Sequence, residues 1–169
     1  THGIMAFLCI CYLPAAAVYS YNKSGSELAA GVSVFILCLF LMFLVSTLYH
    51  CMPFGTTHKY VFRKLDHICI YFAIAGSYTP IALTLIGGWQ GYLILAIEWS
   101  AVLGGVLLKA ISSKSYPKLS MTIYMIMGWT AIFFLPTLLS KASPLFLVLI
   151  VGGGVMYTIG AFFYGCLLY

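Results

Sequence analysis

Residues 28–58, LAAGVSVFILCLFLMFLVSTLYHCMPFGTTH, run without a single Asp, Glu, Lys or Arg. A helix needs about 20 mainly apolar residues to cross a bilayer, and this run exceeds that. The same freedom from charge recurs over 67–97, 119–140 and 142–169. In the whole chain 63% of the residues are hydrophobic and 7% charged, against roughly 25% charged in a soluble domain. So few ions cannot cover a water-facing surface, and lipid must be the main solvent. The alternation of polar and apolar residues that marks a membrane β-barrel is absent. The fold class is all-α, a polytopic membrane helix bundle.

Six spans can be drawn at about 3–21, 28–50, 66–86, 91–109, 119–139 and 144–167. The first ends in Ala15-Ala16-Ala17, loosely like a signal-peptide site, yet nothing basic precedes it and the chain opens on Thr1. It reads as a first membrane helix in a chain cut upstream. The connections are short and polar, and two are basic. One holds Lys59, Arg63 and Lys64; the other, with its flank, holds Lys109, Lys114 and Lys118. If every span crosses once, these two lie on one side, with only Lys23 and Lys141 opposite. The excess of Lys and Arg on the cytoplasmic side of membrane proteins then places them, the N-terminus and Tyr169 in the cytoplasm. A plasma-membrane protein with its partners in the bilayer accounts for the net charge of +5 without nucleic acid. The six cysteines include no Cys-x-x-Cys, so neither a disulfide framework nor a zinc ribbon is indicated. Gly104-Gly105, Gly152-Gly153-Gly154 and Gly160 suit close helix approach, and Pro14 and Pro80 suit kinks.

Chemistry concentrates at one membrane level. Ser46 and His50 are four residues apart, on one face of the second span, and His50 falls at its inner end. Asp66 stands after the basic connection, at the opening of the third span, and Thr1-His2 begins the first. Topology brings Ser46, His50 and Asp66 to one depth, with His2 a further candidate for the same level. A plainer reading stays open: a His or Asp at a helix end can simply sit among headgroups, with Asp66 favoured by the helix dipole. His67 lies about 100° around the helix from Asp66, and His58 reads as a solvated loop residue. Glu98, deeper in the fourth span, must be protonated, partnered or turned to a polar cavity.

At these residues the sequence resembles a known family. Ser46-Thr47-Leu48-Tyr49-His50, Arg63-Lys64-Leu65-Asp66-His67 and Ala75-Gly76-Ser77-Tyr78-Thr79-Pro80 are similar to segments of the hemolysin III family, the bacterial-type branch of the progestin and adipoQ receptor group. Thr1-His2-Gly3, Tyr124-Met125-Ile126-Met127-Gly128-Trp129 and the stretch from Gly153 to Tyr164 extend the match in order along nearly the whole chain. The resemblance implies seven helices, an inward N-terminus and a zinc site near the cytoplasmic face. It makes His50 one metal ligand, with two more from a His-x-x-x-His motif on the seventh helix. Asp66 would hold or orient the metal-bound water, with Ser46 beside it. No His-x-x-x-His occurs here, and the family's acidic and Asn residues before Thr1-His2 are missing. The expectation is a chain truncated at both ends, with zinc in the full-length protein and not in this piece.

The leading expectation is a zinc-dependent, membrane-embedded hydrolase acting on a lipid amide, similar to the ceramidase-like activity of the wider group. Asp66 and Ser46 would be catalytic and His50 a metal ligand. A pore-forming cytolysin is the second reading, weakened because polar residues are sparse in the spans. A receptor-like regulator with a structural metal is the third. A Ser46–His50–Asp66 nucleophilic triad has the spacing for contact but no visible oxyanion-hole motif.

Overall fold

The computed structural model describes residues 1–111 and 117–167, and every regular element among them is helical. In chain order these are α1 (His2–Cys51), α2 (Thr57–Pro80), a π-helical turn (Ile81–Ile86), α3 (Gly88–Ile111), α4 (Pro117–Trp129), a 3-10 turn (Thr130–Phe134), α5 (Leu135–Lys141) and α6 (Pro144–Leu167). Among the described residues five helical stretches are long and apolar enough to cross a membrane. The protein is an all-α, multi-pass membrane protein. Lys114 and Tyr169, which entered the orientation argument, lie outside the described residues. The chain forms two compact units, Thr1–Ser113 and Lys114–Tyr169.

The first unit starts with a helical hairpin. The polar connection expected over 21–27 shrinks to two non-helical residues inside α1, Ser24 (φ −149°, ψ 19°) and Gly25 (φ 79°, ψ −165°). A positive φ of this kind is open to glycine because it lacks a Cβ. The chain folds back there, since His2 meets Phe43 and His50. At ~1.5 Å per residue, each arm is long enough to cross the ~30 Å hydrocarbon core.

Helix α2 begins well before its apolar run. The Thr56 hydroxyl accepts from the Lys59 backbone N–H at 3.2 Å and donates to the Pro53 carbonyl at 3.0 Å. That cap satisfies one of the donors a helix start leaves open and lets the helix form through polar sequence. His58, Lys59, Arg63 and Lys64 therefore lie on its first two turns, and Asp66 is well inside the helix. Further along, Pro80 has no N–H to offer the Gly76 carbonyl, and the next turn widens. Gly87 N–H donates five residues back to the Ala82 carbonyl at 3.0 Å. The Thr84 hydroxyl donates to the Pro80 carbonyl at 2.7 Å.

Packing in this unit depends on small residues. A Cβ placed on Gly31 would lie 2.6 Å from Pro80 Cα, and one on Gly76 would lie 2.8 Å from Cys38 Cβ. These contacts set the antiparallel register of α2 against the second arm of α1. Helix α3 turns a heptad-like stripe inward: Gly91, Ile94, Glu98, Val102 and Gly105 are all buried. The Tyr71 ring covers Gly105, the Trp99 indole N–H donates to the Thr79 hydroxyl at 3.4 Å, and Phe72 meets Trp99 edge-on at 6.0 Å. Of the glycines singled out in the sequence, Gly105 makes a close approach and Gly154 an ordinary contact, with Trp129 Cη2 3.8 Å from a Cβ built there. A Cβ on Gly104, Gly152, Gly153 or Gly160 would meet nothing within 4 Å. Close approach needs a glycine that faces a neighbour, and a Gly-Gly pair guarantees that for one member at most.

In the second unit Pro136 cannot donate back along the helix, and the segment before it tightens into the 3-10 turn. Ser143 caps α6 through its hydroxyl, which accepts from the Phe146 N–H at 3.3 Å. A Cβ on Gly128 would meet the Tyr157 ring, packing α4 against α6. Large apolar side chains such as Phe7, Tyr12, Leu103, Phe133, Leu145, Met156 and Phe162 are exposed. Apolar surface on this scale belongs in lipid, since soluble monomers seldom expose large contiguous apolar patches.

Candidate functional site

The second arm of α1 carries Phe43, Ser46, Thr47 and His50 on its last two turns. The break at Ser24-Gly25 returns the start of the chain to this end. A Cβ on Gly3 would lie 3.4 Å from Thr47 Cγ2. The His2 ring sits 5.8 Å from the Phe43 ring and 6.2 Å from that of His50, its plane only 18° from the His50 plane. Two imidazoles from opposite ends of a fifty-residue hairpin are thus stacked side by side. Both are exposed at the mouth, while Ser46, one turn deeper, is buried. His50 also meets the Tyr49 ring edge-on at 5.0 Å.

Asp66 reaches this level from α2. The pairs Gly31–Pro80 and Cys38–Gly76 fix how α1 and α2 run past each other. Counted from Cys38 and Gly76, Ser46 lies eight residues on and Asp66 ten residues back, so the two fall within about a turn of one level, and Asp66 is half-buried. His67 follows, with Nδ1 2.6 Å from the Arg63 carbonyl oxygen. A carbonyl only accepts, so Nδ1 bears the proton of that bond and, in the neutral ring, Nε2 keeps the lone pair.

One organising residue escaped the sequence reading. The Lys59 ammonium donates to the Tyr49 carbonyl at 2.7 Å and lies over the Tyr49 and Phe54 rings at 4.2 and 4.6 Å from their centroids. It adds a charged donor to a carbonyl at the end of α1 that also accepts from the Met52 N–H at 3.4 Å, at a helix terminus where a cation is favoured by the helix dipole. The Tyr49–His50 turn is thereby tied to the first turn of α2. The available signal was the turn Pro53-Phe54-Gly55-Thr56, whose Gly55 has φ 80° and which sends Lys59 back toward Tyr49.

The geometry joins His2 to His50 and buries Ser46 one turn below, and Asp66 stands half-buried on the adjacent helix α2. An imidazole lone pair, a carboxylate and a hydroxyl can bind a cation, accept a proton and donate a hydrogen bond. Among the described residues no three His, Cys, Asp or Glu side chains converge as metal ligands.

Comparison with known proteins agrees with the family resemblance in the sequence. The family model described as Haemolysin-III related matches residues 1–168. The chain is 34% identical over 164 residues to Hemolysin-3 of Bacillus cereus, covering 97% of this chain and 74% of that protein. It is likewise 34% identical over 164 residues to the Hemolysin-3 homolog of Bacillus subtilis (strain 168), covering 97% of this chain and 76% of the relative. No solved structure matches it.

Proposed function

The chain belongs to the Haemolysin-III related family, and from that membership we propose a membrane-embedded, zinc-dependent hydrolase acting on a lipid amide. The observation that carries the reading is the grouping of His2, His50 and Ser46 at one end of the first unit; in this reading Asp66 of α2 faces that group. In this reading that end faces the cytoplasm, the N-terminus is inside, and the membrane is the plasma membrane. The excess of Lys and Arg there supports the orientation.

Zinc takes about four ligands, and the described residues do not bring three together. They do not form a zinc site by themselves. His50 is the ligand this chain supplies in our reading, and the remaining ligands come from outside the described set. Bound zinc would lower the pKa of a water toward ~7 and polarise a carbonyl. The chain's own residues would do the rest. Asp66 takes a proton from the attacking water and returns it to the departing amine, so that water and amide become carboxylic acid and amine. Ser46, buried below the histidines, donates a hydrogen bond to the substrate. A lipid amide reaches this level sideways from one leaflet.

The test is zinc content and turnover of a short-chain fluorescent ceramide by the full-length protein in lipid nanodiscs. His50→Ala should remove the metal and lower turnover at least ~100-fold, and Asp66→Asn should lower it by about 10²–10⁴ with the metal retained. Unchanged turnover in His50→Ala would sink the proposal. Stoichiometric zinc without turnover on any lipid amide would leave a receptor-like regulator instead. A second reading, membrane lysis, is prompted by the printed name of the relatives. It predicts dye release from liposomes that Glu98→Gln abolishes, Glu98 being fully buried within α3.

A further inference from the structure

Positive charge gathers where α2 begins and α3 ends. Tyr71 of α2 lies on Gly105 of α3. Lys64 stands two turns before Tyr71 and Lys109 one turn after Gly105, so both belong to the seam between these antiparallel helices. Arg63 and Lys64 are close enough to act on the charge of Lys109. Lys64 lies 5.1 Å over the Tyr60 ring, and Lys59 is held one turn earlier by Tyr49 and Phe54.

Like charges in one place repel, and more strongly as water is withdrawn. The chain has only three acidic residues. Glu27 stands beside the hairpin break and Glu98 is enclosed in mid-helix, which leaves Asp66 as the carboxylate at this end. Lys59, Arg63, Lys64 and Lys109 against Asp66 leave an excess of cations. Around them are exposed apolar side chains: Tyr60, Leu65, Leu107, Leu108 and Ile111. A surface that pairs clustered cations with apolar flanks fits a molecule that pairs a phosphate with acyl chains.

We infer that Arg63, Lys64 and Lys109 form a headgroup site for an anionic phospholipid, set at the rim of the seam between α2 and α3. The Arg63 guanidinium offers a planar pair of donors suited to phosphate oxygens, and the two lysines supply charge from the neighbouring helix turns. The acyl chains lie along the apolar flanks. The site is built from α2 and α3, not from the His2 and His50 of α1, and it does not depend on hydrolysis.

Native mass spectrometry of the full-length protein in detergent tests it, comparing phosphatidylglycerol with phosphatidylcholine of the same acyl chains. The wild type should retain phosphatidylglycerol preferentially. Each cation removed should weaken it about 5-fold, so Arg63→Gln/Lys64→Gln/Lys109→Gln should weaken it on the order of 100-fold while phosphatidylcholine is unchanged. Lys23→Gln/Lys141→Gln, which lowers charge elsewhere, should retain it, as should Lys64→Arg/Lys109→Arg, which keeps the charge. Equal retention by the triple glutamine variant overturns the inference, and so does equal loss in the Lys23/Lys141 variant. Displacement by millimolar inorganic phosphate overturns it too, in favour of a free-anion site. A triple variant that is unfolded shifts the decision to single variants, where a 5-fold loss at Lys109 supports the site and no loss refutes it.

Discussion

A methyl group added at Gly76 tests the packing on which the register of α1 and α2 depends. In Gly76→Ala the new carbon would stand 2.8 Å from Cys38 Cβ and 2.9 Å from its Sγ, with Phe35 Cα at 3.6 Å. Contacts that short require Cys38, itself buried, and the helix carrying it to move. Overpacking of this kind costs about 1–3 kcal/mol. Alanine also improves helix propensity over glycine by about 0.8–1.0 kcal/mol, so the raw effect understates the clash. Gly104→Ala is the control: it brings the same gain in propensity on α3, where a Cβ meets nothing within 4 Å. The difference between the two variants isolates the steric part, about 1–3 kcal/mol. Reversible unfolding in mixed micelles, followed by circular dichroism, measures it. Cys38→Ala removes the Sγ contact but keeps the Cβ one at 2.8 Å, so combined with Gly76→Ala it should recover only part of the loss, a coupling that independent sites would not show. Equal stability of Gly76→Ala and Gly104→Ala would refute the packing argument, and with it the extrapolation that sets Ser46 within about a turn of Asp66.

Two further outcomes are expected. Gly25→Ala puts a Cβ at φ 79°, ψ −165°, a region close to glycine-only, and should cost about 1–3 kcal/mol in the same unfolding assay. A surface change such as Ser26→Ala should stay within about 0.5 kcal/mol, and equal effects would mean that the hairpin does not need that backbone geometry. Cys51 is exposed at the end of α1 beside the histidines. A membrane-impermeant maleimide should label it in inside-out vesicles and not in right-side-out ones; the reverse pattern would invert the proposed orientation.

Much of this architecture can be read from where ions are missing. Charge-free runs locate the apolar helices, and the spacing of Ser46 and His50 puts them on one face whatever surrounds them. The placement of His2 at the same end follows from the chain crossing and returning. Other features depend on quantities that a single sequence does not display. Which glycine faces a partner depends on helix rotation, so Gly31, Gly76 and Gly91 make close contacts where Gly104 and Gly160 make none. The early start of α2 depends on Thr56 capping polar sequence that hydropathy alone reads as a loop. The widened turn after Pro80 and the capture of Lys59 by Tyr49 are both answers to unsatisfied backbone groups. Such needs become visible only when neighbouring helices are in place.

The hairpin of α1 also has a meaning for biosynthesis. Segments nearer the N-terminus emerge first as synthesis proceeds, and both imidazoles of the stacked pair lie within residues 2–50, ahead of Asp66. The pair is carried wholly by the α1 hairpin, so both rings are synthesised before Asp66. The carboxylate arrives with the next segment. A translation pause between Cys51 and Asp66 would therefore leave both rings made and only the carboxylate outstanding.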